Sequence, residues 1–305
     1  MQFRRGWALV AALLGTGVLA MAHSLEEMPR LVLRSAAAVV QDQATGELLY
    51  DKHSEEKLPI ASITKLMTAM VVLDANSDLA EPITILEEDK DMLRHSRSRL
   101  PVGTTLTRGE AMLLALMSSE NRAAHALGRT APGGLTAFVA AMNAKAASLG
   151  LANTHFEDPA GLSSGNVASA RDLARIVDQA HHYPKIRECT TTEEATIQGR
   201  RCQLQFHNTN RLLKNPRWHI GLSKTGFIDE AGRCLVMQAE LKQRPTVIVL
   251  LDSEGKFSRF GDADRIRQWL EGSDPAVKRV AKRAVRREAP VHQVRLRKGR
   301  RRHQA

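Results

Sequence analysis

The chain has 305 residues, of which 43% are hydrophobic and 4% aromatic, and it carries a formal net charge of +11. That supplies one large cored domain or two small ones. The charge is uneven: 274–305 holds 12 Lys/Arg against 2 Asp/Glu, so the region before it is close to neutral. The basic balance belongs to a tail, and nucleic acid is not expected as a partner of the domain.

In chain order, Arg4 and Arg5 precede an apolar run from Trp7 to Leu19, and Ala20-Met21-Ala22 follows as a small-x-small site. This is the order of a cleaved secretory signal peptide over 1–22, and the run is short for a membrane span. Residues 31–40 and 47–51 read as two strands joined at Ala44-Thr45-Gly46. After Pro59, residues 61–73 read as a helix apolar nearly all round, hence buried. From Leu106 to His182 the pattern is mainly helical, with a capping-box-like start at Ser169-Ala-Arg-Asp172. Strands return after Cys189 at 196–197, 202–206, 221–227, 234–241 and 246–252, and a helix closes the domain over 260–270. Strands at both ends with helices between them predict one sheet completed by both termini, with an inserted helical region. The domain is expected over 23–272, and 273–305 as a basic tail, partly helical or disordered.

Cys189, Cys202 and Cys234 allow at most one disulfide, and their spacing does not say which. No Cys-x-x-Cys or His-x-x-x-His accompanies them, so neither metal nor cofactor is expected.

Three short motifs carry the chemistry: Ser62-Ile-Thr-Lys65, Ser119-Glu-Asn121 and Lys224-Thr-Gly226. A serine hydroxyl needs a base to become a nucleophile, and on a helix the amine of Lys65 shares a face with Ser62. Burial and a second cation, for which Lys224 is the candidate, would lower the Lys65 pKa. Taken singly, Ser62 reads as a helix cap, Lys65 as a snorkelling lysine, and Ser119 with Asn121 as a helix end. The order of the three motifs and the apolar setting of Lys65 favour a site. Ser119 and Asn121 would then relay a proton and hold substrate backbone. Lys224-Thr225-Gly226 on an edge strand would meet an extended substrate and its carboxylate. Backbone N–H groups of Ser62 and Phe227 would form an oxyanion hole. A second Ser-x-Asn, Ser164-Gly-Asn166, reads as a loop.

The set resembles the active-site signature of the penicillin-recognising serine enzymes, and within them the low-molecular-mass D-alanyl-D-alanine peptidases. Supporting segments are Pro59 to Lys65, Asp158-Pro-Ala-Gly-Leu162 with Ser169 to Asp172, and Lys224 to Phe227 with Glu230 to Cys234. The resemblance implies an α/β (α+β) fold of the β-lactamase/transpeptidase-like kind. Its mainly antiparallel sheet is flanked by helices, with the site against an inserted helical region. It also implies a periplasmic enzyme acting on peptidoglycan stem peptides. Ser62 would be the nucleophile, Lys65 the base, Ser119 the proton shuttle, Asn121 and Thr225 substrate binders, and Lys224 the electrostatic anchor. Glu120 stands where many carboxypeptidases of the family have Gly; its bulk and charge beside the site tilt the expectation towards an endopeptidase cutting D-alanyl-diaminopimelyl cross-links. No Glu-x-x-Leu-Asn segment is present, so β-lactam antibiotics are expected as covalent inhibitors more than substrates. Rival expectations are a carboxypeptidase, a β-lactamase or esterase on the same scaffold, and a non-catalytic wall-binding protein. The basic tail is expected to meet an anionic wall or membrane surface electrostatically.

Overall fold

The computed structural model describes residues 31–199 and 202–272; the signal peptide expected over 1–22 and the tail expected over 273–305 lie outside the described residues. The chain opens with β1 (Ser35–Asp42) and β2 (Leu48–Lys52), turned at Gly46, whose φ of 75° favours glycine. A two-residue β3 (Leu58–Pro59) leads into a 3-10 turn (Ala61–Thr64) and then α1 (Lys65–Asp74). The inserted region comprises β4 (Pro82–Thr84), β5 (Thr105–Thr107), α2 (Arg108–Met117), α3 (Asn121–Arg129) and α4 (Gly134–Ser148). Next come β6 (Val167–Ala168), α5 (Ala170–His181), α6 (Pro184–Thr191) and the hairpin of β7 (Glu194–Gln198) with β8 (Gln203–His207). Three long strands, β9 (His219–Ile228), β10 (Gly232–Leu241) and β11 (Arg244–Ser253), precede the closing α7 (Ser258–Leu270).

The main sheet runs β2-β1-β11-β10-β9, and every neighbouring pair is antiparallel. Strand periodicity sorts its residues cleanly. Ala37, Val39, Cys234, Val236, Val247, Val249 and Leu251 face the large core under α1 and α5. Ala38, Val40, Leu235, Met237, Ile248 and Leu250 face a second core with Phe260, Ala263 and Ile266 of α7. Both faces are covered, which is why these strands read as near-continuous apolar runs. Helix α1 is buried from Lys65 to Val72 and threads the larger core, as its all-round apolar sequence requires.

The expected fold class and the sheet completed by both termini hold, with three differences. The 61–73 helix is divided: its first turn is 3-10, so Ser62 and Lys65 eclipse one another more closely than on an α-helix. The strands expected at 196–197 and 202–206 form a separate two-stranded sheet outside the main one. The helical region, expected to end at His182, continues as α6, whose start is fixed by Pro184 at its first turn and which contains Cys189; strands return after it, as expected. Among the described residues no helix is long and apolar enough to cross a membrane.

Candidate active site

Ser62 sits at the end of the main sheet, on a turn squeezed between two glycines. Ala61 has φ 48°, a conformation L-residues avoid. Its neighbours hold it there. A Cβ on Gly161 would stand 1.9 Å from the Ala61 carbonyl oxygen, and one on Gly226 would stand 2.9 Å from the Ile60 oxygen and 3.2 Å from the Ala61 Cβ. Backbone approaches from both sides therefore fix the direction of the Ser62 side chain. Neither Ser62 nor any neighbour donates a side-chain cap to this turn, so Ser62 is not a helix cap.

Lys65 is 1% exposed, which excludes a snorkelling surface lysine. Its Nζ lies 2.8 Å from Ser62 Oγ, 2.8 Å from Asn121 Oδ1 and 2.6 Å from the Ala160 carbonyl oxygen. That carbonyl is aimed by the Asp158 carboxylate, which accepts from the N–H groups of Ala160, Gly161, Leu162 and Ser163 at 2.6–3.1 Å. The loop is pinned to the Ser62 turn by Asn166. Its Oδ1 accepts from Glu157 and Asp158 N–H, its Nδ2 donates to Asp158 O and Thr64 Oγ1, and its backbone oxygen accepts from Ile60 N–H. The second Ser-x-Asn is a loop, as read, but its asparagine organises the site.

Ser119 to Asn121 does not close a helix; it makes the corner between α2 and α3. Ser119 takes φ 61°, a strained value for serine, and Glu120 caps α3 by accepting from Arg122 N–H at 3.2 Å. Asn121 Nδ2 donates to Ser96 Oγ at 2.9 Å. From the facing β9, Lys224 Nζ donates to Ser119 Oγ at 2.9 Å. β9 is the sheet edge, as the substrate-strand expectation needs. Thr225 Oγ1 meets Thr209 Oγ1 at 2.6 Å, and Thr209 N–H in turn donates to the Met117 oxygen. A cleft of about 220 Å³ opens at Ser62, lined also by Asn121, Gly161, Leu162, Phe227 and Asp229 among others. Arg94 braces its rim, donating to Leu162 O and pairing with Glu230 at 2.8 Å.

Burial lowers the Lys65 pKa from 10.5 to about 7, against the carboxylates of Asp158, Glu120 and Asp91, which raise it. Burial is the leading cause, as expected, and the ammonium groups of Lys65 and Lys224 each disfavour the other's charge. Lys224, fully buried, is held well below its usual range by burial first, then by Lys65 and Arg259. Arg259, on the first turn of α7, is lowered to about 10 by burial and by Arg233, and its Nε and Nη1 find no hydrogen-bond partner among the described residues.

The structure brings Ser62, Lys65 and Asn121 together directly, and joins Ser119 to Lys224. Phe227, half exposed under the Arg233 guanidinium at 4.3 Å, shares the cleft with Ser62. Glu120 stands beside the site, as the cap of α3 between Ser119 and Asn121. Its side chain is turned from the Ser62 cleft, accepting from Ser98 Oγ at 2.7 Å, although its charge reaches Lys65. Sequence reasoning missed the Ala160 carbonyl, Thr209 and Arg259; the quoted Asp158-Pro-Ala-Gly segment held the signal for the first, and the other two gave none. All three cysteines are free, with Cys189 and Cys234 buried and Cys202 exposed. Among the described residues no His, Cys, Asp or Glu cluster could hold a metal ion.

The sequence matches the D-alanyl-D-alanine carboxypeptidase family over residues 23–255. It is 48% identical over 253 residues to a D-alanyl-D-alanine endopeptidase of Pseudomonas aeruginosa, covering 82% of each chain. It is 44% identical over 241 residues to a D-alanyl-D-alanine endopeptidase of Escherichia coli, covering 78% of each. Among solved structures it is similar to a DD-transpeptidase of Streptomyces, with TM-score 0.73 and 28% identity, over 79% of this chain and 98% of that one.

Proposed function

The chain belongs to the D-alanyl-D-alanine carboxypeptidase family of serine D,D-peptidases, and from that premise we propose that it is an endopeptidase cutting D-alanyl-diaminopimelyl cross-links of peptidoglycan, with Ser62 as nucleophile. The observation that carries the chemistry is the triple coordination of the Lys65 amine. Asn121 Oδ1 and the Ala160 carbonyl can only accept. A neutral amine has two N–H groups for them and one lone pair left, which faces the Ser62 hydroxyl at 2.8 Å. A pKa of about 7 keeps that neutral form populated at working pH.

Ser62 Oγ attacks the D-alanyl carbonyl carbon while its proton passes to Lys65 Nζ. The oxyanion is met by the backbone N–H groups of Ser62 and Phe227, which Gly226 lets approach each other. The C–N bond then breaks, and the leaving amine takes a proton through Ser119, whose hydroxyl Lys224 orients. Water, deprotonated by Lys65, releases the acyl group and restores Ser62. Asn121 and Thr225 hold substrate amide and carboxylate, and Lys224 adds electrostatic attraction. A β-lactam enters the same first step and leaves slowly, since nothing in the sequence supplies a dedicated deacylating carboxylate.

The leader directs the protein to the periplasm by its Arg4-Arg5 and apolar run, and the basic tail adds attraction to an anionic wall or membrane surface. The subtype rests on the two endopeptidase relatives and on Glu120. The test is digestion of cross-linked and uncross-linked muropeptides beside fluorescent-penicillin labelling. Cross-links should disappear and label should persist, and both should be lost in Ser62→Ala. Release of terminal D-alanine with cross-links intact would make the enzyme a carboxypeptidase, and rapid turnover of label a β-lactamase.

A further inference from the structure

A second cleft, of about 250 Å³, lies on the other side of the Ser118–Glu120 corner, lined by Arg97, Arg99, Ser118, Glu120, Phe206 and His207. Of its side chains only Glu120 bears on the chemistry above, through its charge on Lys65. We propose that this cleft is a subsite for the second stem peptide, the one that departs as the leaving group when a cross-link is cut; the inference rests on the cross-link reading.

Direction along β9 decides which half of the substrate lies where. With the scissile carbonyl at Ser62 and Phe227, the acyl half lies along the cleft of Leu162, Phe227 and Asp229. The leaving amine lies on the opposite side, towards Thr225, Lys224 and Ser119. A leaving D-alanine ends there, with a methyl group and one carboxylate. A diaminopimelyl leaving group continues as a chain. The corner it must pass is closed by Thr225 on Thr209 and by Thr209 on the Met117 carbonyl. Ser118 and Glu120 flank Ser119, and His207 lies two residues before Thr209, so the chain beyond this corner enters the second cleft.

The charge there fits that occupant. The stem peptide brings carboxylates on its glutamyl and diaminopimelyl residues, and guanidinium groups recognise carboxylates through paired N–H donors. Arg97 and Arg99 are exposed. Arg99 uses Nη1 on the Gln205 carbonyl at 3.0 Å, which ties the 91–100 loop to β8. Glu120 keeps its charge at the cleft, with Oε1 accepting from Ser98 Oγ and Arg122 N–H, so the two arginines are what makes the net charge of the lining positive. Phe206, buried, gives the cleft an apolar floor for the diaminopimelyl methylenes.

The experiment measures kcat and KM of wild type, R97E/R99E and R97K/R99K on a purified cross-linked muropeptide dimer and on its uncross-linked pentapeptide monomer. For R97E/R99E the ratio of kcat/KM on dimer to kcat/KM on monomer should fall about tenfold, as two partly exposed ion pairs are exchanged for repulsion. The loss should lie in KM, and R97K/R99K should recover most of it. Wild-type KM for the dimer should rise with salt, because exposed charges are screened over roughly 8 Å at physiological ionic strength. An unchanged ratio, or an equal loss on both substrates, overturns the subsite while leaving the cross-link reading intact. A wild-type enzyme that leaves the dimer uncut overturns both.

Discussion

Gly161 and Ala61 touch backbone to backbone: a Cβ on Gly161, itself at φ 77°, would stand 1.9 Å from the Ala61 carbonyl oxygen and 2.4 Å from its carbon. No rotamer relieves that overlap, so the Asp158 loop or the Ser62 turn must move. Gly161→Ala should destabilise the protein by about 3 kcal/mol or more, combining strain at positive φ with a backbone clash. It should also slow acylation by fluorescent penicillin about a hundredfold, the scale expected when a nucleophile is displaced by an ångström. Urea denaturation and labelling kinetics check the two effects; full-rate labelling would show that the turn is not held from this side.

Asn166 bridges the same loop to Thr64 with four side-chain hydrogen bonds and no exposure. Asn166→Ala leaves several buried polar groups unpaired, each costing about 1–3 kcal/mol. The expected loss in urea denaturation is about 3 kcal/mol overall. Asn166→Asp keeps the acceptor but loses both donors and buries a charge, so it should be no more stable than the alanine variant. A neutral result for Asn166→Ala would mean the loop is anchored elsewhere.

The motif residues were legible because their chemistry is local: an amine three residues from a hydroxyl, an amide beside a serine, a glycine where a strand must close on a turn. The sheet was legible for a similar reason, since 234–241 and 246–252 are long apolar runs bounded by turn residues. What stayed hidden depends on distant packing. Asp158-Pro-Ala-Gly signals a turn, but only the folded turn aims the Ala160 carbonyl at Lys65. Arg259 comes 35 positions after Lys224, and only the start of α7 behind the sheet makes it a charge that Lys224 feels. The position of Glu120 between two motif residues puts it beside the site but does not say which way its side chain points. The reversal of the chain at Ser119, with its positive φ, turns it to the other side.

The three thiols should separate by burial. Cys189 is pushed up to about 12 and Cys234 to about 11, both chiefly by burial, whereas Cys202 is exposed. Thiolate is the reactive form, so a disulfide-exchange reagent at pH 8 should titrate one cysteine in the native protein and three in denaturant. Cys202→Ser should abolish the native reaction. Rapid native reaction of two thiols would contradict the packing of α6 against β9.

Lys65 makes the pH dependence of the chemistry predictable in sign. With its neutral form as the proposed base, the acylation rate should climb with pH through a limb centred at about 7 and level off above it. Glu120 raises the Lys65 pKa, so Glu120→Gln should move that limb to lower pH. Stability carries the same signature. The folded-state pKa lies below the unfolded value of 10.5, so between about 7 and 10.5 the unfolded chain binds the extra proton and the folded protein does not. This group therefore makes stability rise with pH across that window, by up to about 1.4 kcal/mol per unit. Lys65→Met should abolish acylation and remove that slope, which urea denaturation of both proteins at pH 7 and pH 9 would measure. A wild-type acylation rate flat from pH 5 to 9 would assign the base to another group, and an equal slope in both proteins would place the proton elsewhere.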